Sequence, residues 1–222
     1  MFSLGSVGRT SIHVDFNFIF LVLLFVILNY DEAIGIHYAL LWIPIVFVSV
    51  LVHELAHAAA IALLGFGASR IVLTGMGGVT INSRRAKPWQ DLIISVSGPA
   101  ASFALFFLCL WVMDGVAAAR TDRMLAALLP RMAWANRAWG FFNLIPVPPL
   151  DGGHAVREFF RIFLKERSAF IVSIWIAIVG GGLIAILFLL SRSFFVALYV
   201  GWFVYMAIGQ WQYFKRHGVP GD

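Results

Sequence analysis

The stretch "VSVLVHELAHAAAIALLG", Val48 to Gly65, places two histidines and a glutamate inside an otherwise apolar run. The run extends from about residue 39 to residue 64. A helix needs about 20 mostly apolar residues to cross a bilayer, so this one is long enough. Ionisable groups at such depth are costly and mark functional sites by their partners. On a helix, His53 and His57 stand at i and i+4 and project both imidazoles from one face. In an H-E-x-x-H arrangement the two imidazoles can bind one zinc ion, with Glu54 placed as a general base. The plainer reading is a pair of core histidines and a buried glutamate bonded to one another. The cost of burying a carboxylate so deep weighs against it.

The rest of the chain agrees with a membrane setting. Of 222 residues, 61% are hydrophobic and 12% charged, and the mean hydropathy is +0.91. Soluble domains are usually about 45–50% apolar and about 25% charged. The length allows one compact membrane domain. The net charge of +5 lies between apolar runs, where it reports topology and contact with lipid headgroups, and no nucleic-acid partner is expected. The one cysteine, Cys109, reads as a packing residue in an apolar segment.

Six spans are expected, over 14–30, 39–64, 91–113, 131–147, 169–190 and 194–213. The first reads as an uncleaved span, since "NYDEAIG" after it lacks a small-x-small cleavage pattern. Pro44 is a candidate kink in the second. The fourth holds Asn136 and Arg137 and runs into "NLIPVPPLDGGH", Asn143 to His154, where three prolines forbid regular helix. Irregular backbone at membrane depth needs protein or a water-filled cavity around it, so this segment is expected to be central. One set of connections carries 11 of the 16 Lys and Arg residues and the alternate set 5. By the positive-inside rule both termini are cytoplasmic. "SRIVLTGMGGVTINSRR", Ser69 to Arg85, reads as strand, glycine turn and strand. The expected fold is thus an all-α polytopic membrane protein with a short membrane-associated β segment after the second span.

A catalytic zinc takes three protein ligands and keeps one position open. His13, before the first span, and His37, on the opposite side, are poorly placed. Asp91, at the cytoplasmic start of the third span, competes with Asp151, at the end of the fourth. The second and fourth spans run in the same direction, so charge bias alone puts Asp151 at about the depth of His53 and His57. In a soluble loop Asp151 would be a turn residue before two glycines.

"HELAH", then "SGPAAS" (Ser97 to Ser102), then "NLIPVPPLDGG" (Asn143 to Gly153) resembles the site-2 protease family of intramembrane zinc metalloproteases. The resemblance covers about 42–157, the expected catalytic core of a single domain over 1–222. It implies a zinc endopeptidase with His53, His57 and Asp151 as metal ligands, one ion per chain. Its substrate would be a transmembrane protein or peptide in the lipid bilayer. It also implies that the glycine-rich strand near Gly77 lies at the edge of the site, where an extended substrate adds as a further strand. Glu54 would take a proton from the attacking water and return one to the leaving amine. Asn143 is a candidate donor to the oxyanion or the substrate backbone; equally, it is a cap amide before Pro146. His154 could orient Asp151 or simply face the cytoplasmic interface, and "SGPAAS" reads as small residues for close helix packing. The alternative is a membrane metal transporter, or a metal-binding scaffold, using the same His and Asp residues. The chain reads as a multi-pass protein of a prokaryotic inner membrane, and its oligomeric state is not legible.

Overall fold

A computed structural model describes residues 1–32, 35–82, 86–116 and 121–218. Arg84, Arg85 and Arg120, three of the 16 Lys and Arg residues counted above for topology, lie outside the described residues. The chain forms two compact units, one of residues 1–85 and 97–140, the other of 86–96 and 141–222.

In the first unit, β1 (Phe2–Val7) and β2 (Thr10–Val14) form a hairpin, followed by α1 (Phe18–Leu28), α2 (Ile36–Leu40) and α3 (Trp42–Leu63). Then come β3 (Ser69–Thr74) and β4 (Gly77–Asn82), the strand pair expected from the glycine pattern. The four strands make one sheet in the order β1-β2-β3-β4. β2 and β3 run parallel, from Thr10 opposite Ser69 to Val14 opposite Leu73. Thr10 Oγ1 and Ser69 Oγ lie 2.8 Å apart at the start of that ladder. Ile12, Ile71 and Leu73 turn inward onto Val46, Val50 and Ala58 of α3, which is why this face of the sheet is buried.

The first expected span is corrected here. Residues 10–14 pair with β3, so helix begins only at Phe18, and α1 has 11 residues. Alternation in "TSIHV" favours the strand, and Asp15 extends the ladder by donating its N–H to Leu73 O at 2.8 Å. Pro44 lies in the first turn of α3, where an absent N–H removes no helical bond.

Two further helices are α4 (Pro88–Gly115) and α5 (Arg123–Asn143). α5 starts eight residues before the expected 131 and runs past Pro130 within it. It stops at Asn143, and the proline-rich segment 144–150 is irregular, as expected, with a cis bond between Pro148 and Pro149. α6 (Asp151–Phe163), α7 (Glu166–Leu190) and α8 (Phe194–His217) complete the chain. Among the described residues, four helical segments are long and apolar enough to cross a membrane: Ile36–Leu63, Pro88–Gly115, Glu166–Leu190 and Phe194–His217. With the short apolar α1 and the more polar α5, this is a multi-pass membrane protein, mostly helical, with a small sheet.

The second unit packs Val147, Ile174, Val200 and Phe203 into its core. Gly181 lets the side chains of Val147 and Val204 approach the α7 backbone. At the other end of α7, Arg161 bridges Glu158 (2.6 Å) and Glu166 (2.5 Å), and Arg157 also pairs with Glu166. Burial pushes the Glu158 carboxyl above its ordinary value, against the pull of Arg161. A raised acid binds more protons folded than unfolded, so its contribution to stability falls as pH rises from the ordinary carboxylate value through the raised one. Glu158→Gln removes this contribution, so between acidic and neutral pH its unfolding in detergent should show less loss of stability with rising pH than the wild type's.

Candidate functional site

α3 builds the centre of the first unit's polar cluster. His53, Glu54 and His57 are only 2%, 3% and 6% exposed. One turn of helix separates the two histidines, and their Nε2 atoms approach to 3.2 Å. The rings are nearly perpendicular, with centroids 4.9 Å apart. Two ring nitrogens thus converge on one point, as ligands of a single ion do.

The far side of each ring is held. His53 Nδ1 lies 3.0 Å from Ser102 Oγ, and His57 Nδ1 lies 3.3 Å from Ser97 Oγ. Between these serines, the α4 backbone comes up to the histidines at Gly98. A Cβ there would lie 2.6 Å from His53 Nε2 and nearer still to His57 Nε2. Only a residue without a side chain leaves that space open.

Glu54 faces β4. Thr80 Oγ1 lies 2.7 Å from Glu54 Oε2 and 3.2 Å from the Glu54 carbonyl oxygen. Gly78 makes room for the carboxyl, since a Cβ on it would lie 2.5 Å from Oε1. Gly77, at φ +121°, sits beneath the Trp139 ring. Among the described residues β4 pairs in the sheet with β3 and is its last strand. One turn before His53, Ser49 Oγ accepts a bond from the fully buried Asn136 amide at 2.9 Å.

Asn143 and Asp151 belong to the second unit. Asn143 is the last residue of α5 and is buried. Asp151 is the first residue of α6, where the unpaired N–H groups of a helix favour a carboxylate. The two glycines after it are forced by packing. A Cβ on Gly152 would lie 2.6 Å from Ile145 O, and one on Gly153 2.5 Å from Val147 C. Asp91 and His154 also lie in the second unit, and His154 is exposed. Sequence reasoning missed Thr80, Ser97 and Ser102 as partners of the site. The one sequence signal was that two hydroxyls of "SGPAAS" flank its glycine in an apolar helix.

Comparisons with known proteins follow this geometry. The model of the M50B-like peptidases matches residues 18–147, and that of peptidase family M50 matches 112–189. A zinc metalloprotease of Methanocaldococcus jannaschii is 32% identical over 181 residues, 79% of this chain and 50% of that protein. A Mycobacterium tuberculosis protein whose name is that of a zinc metalloprotease is 31% identical over 169 residues, 72% of this chain and 42% of its own. The chain spans about half the length of the curated relatives it matches. The solved site-2 protease of Methanocaldococcus jannaschii superposes with a TM-score of 0.62 at 23% identity, covering 100% of this chain and 96% of that one. That likeness is one of fold. The family model spans more than half of the chain, including the helix that carries His53, Glu54 and His57, and so the chain belongs to the M50B-like peptidase family.

Proposed function

We propose that this protein is an intramembrane zinc endopeptidase that cuts transmembrane protein or peptide substrates, with its catalytic core over about residues 42–157. The observation that carries the reading is the pair of buried Nε2 atoms 3.2 Å apart on a membrane-length helix, with Glu54 between them in sequence. The donor set fits zinc: His53, His57 and Asp151 each offer one atom of the type it takes. The space kept clear at Gly98 fits an ion in front of the imidazoles. The names of the relatives support the same metal and activity. The family assignment does not favour a metal transporter.

When bound, zinc would supply Lewis acidity to a peptide carbonyl and lower the pKa of water. Glu54 serves as the base that accepts a proton from the attacking water and delivers one to the leaving amine. Thr80 holds its carboxylate on the β4 side. The outer edge of β4, the last strand of the sheet, receives the substrate as an added strand, which satisfies peptide N–H and C=O groups away from water. Asn143 is the candidate donor to the developing oxyanion or to the substrate backbone. The bias of Lys and Arg supports both termini on the cytoplasmic side of the membrane.

The test uses purified protein in liposomes with transmembrane peptides. The wild type should hold one zinc ion per chain and release cleaved peptide. Asp151→Ala should lose both the ion and the cleavage. Full zinc occupancy in that variant would remove Asp151 from the ligand set, and a wild type without cleavage or zinc would overturn the reading.

A further inference from the structure

"SGPAAS" does more than let helices approach. Its two serines each touch the nitrogen of a histidine that faces away from the shared point: Ser102 Oγ at 3.0 Å from His53 Nδ1, Ser97 Oγ at 3.3 Å from His57 Nδ1. Ser102 is fully buried, so water does not compete for that contact. A neutral imidazole has one nitrogen that donates and one that accepts. A serine oxygen can accept the N–H of whichever ring nitrogen carries the proton, so a serine at Nδ1 suits the tautomer whose lone pair is on Nε2.

We propose that Ser97 and Ser102 are positioning residues that fix both histidines in one tautomer. Each serine oxygen accepts the Nδ1–H of its histidine. That leaves a lone pair on each Nε2, and the two lone pairs converge across the gap kept open by Gly98. One short segment of α4 therefore sets the protonation pattern, the ring rotation and the free space of a site whose metal-binding nitrogens all lie on α3. This inference rests on the metal reading above.

The experiment measures zinc affinity of the purified full chain by competition with a chelator, independently of cleavage. Ser102→Ala and Ser97→Ala should each weaken binding about tenfold, the low end of the loss for removing a partner that orients a ligand. The double variant should lose about 100-fold. Ser97→Thr keeps the hydroxyl and should keep the affinity. Ser49→Ala removes a buried hydroxyl one turn from His53 that bonds to Asn136 instead, and it should leave zinc affinity unchanged. With cobalt in place of zinc, the double variant should also shift the visible spectrum, because ring orientation changes the ligand field. Wild-type affinity in the double variant would overturn the tautomer proposal and leave the metal reading intact. Equal weakening by Ser49→Ala would assign the loss to packing and overturn it as well. A wild type that binds no zinc would overturn the metal reading and this proposal together.

Discussion

Replacing Glu54 with alanine is expected to end cleavage of a transmembrane substrate while one zinc ion stays bound to a folded protein. A positioned acid-base group contributes about 10²–10⁴-fold to rate, so single-turnover cleavage should fall by at least that lower figure. The fold should tolerate the change, because Glu54 is a buried carboxylate and the Thr80 hydroxyl that lies against it has another acceptor within reach. That hydroxyl already lies 3.2 Å from the Glu54 carbonyl oxygen. Glu54→Gln sharpens the result. The amide keeps the volume and can still accept from Thr80, but it cannot take a proton from water. Both variants should hold zinc as tightly as the wild type, as metal analysis would record. Cleavage at the normal rate by either one would remove Glu54 from the mechanism.

Gly98→Ala should have an effect of similar size by another route. The added methyl would lie 2.6 Å from His53 Nε2 and closer still to His57 Nε2, well inside van der Waals contact. The rings cannot swing clear cheaply, since both are buried and each is held at Nδ1 by a serine. The variant should therefore lose zinc affinity by more than the serine variants do, and lose cleavage with it. Its helix should survive, because alanine is a better helix former than glycine. Circular dichroism unchanged and zinc lost is the expected combination. Zinc retained at full occupancy would mean that the space in front of the histidines is not where the ion binds.

The parts of this molecule that could be read in advance are those with short-range signatures. "HELAH" declares its geometry within five residues, because i and i+4 share a helix face. The glycines of 75–78 announced the β3–β4 turn. The proline run after Asn143 declared an irregular backbone. The N-terminal strands were hidden for the opposite reason. The alternation in "TSIHV" is only five residues long, and the ladder that fixes it pairs Thr10 with Ser69 and Val14 with Leu73, far away in sequence. β1 further breaks its own alternation at the irregularity between Ser3 and Gly5. The apolar run from Phe16 onward then reads as part of a span over 14–30. Ser97 and Ser102 were equally silent, for a hydroxyl in an apolar helix reads as a small residue until its partner is known. Those partners are 40 and 49 residues away in sequence.

The parallel pairing of β2 with β3 also has a mechanical side. β3 is clamped between a segment from the start of the chain and β4, which carries Thr80 against Glu54. A load applied at residues 2–7 passes through the ladder to β3 and then to the neighbour of the proposed base. A bulky fusion ahead of Phe2 would pull on that brace, and a handle attached for surface tethering would be least disturbing elsewhere in the chain.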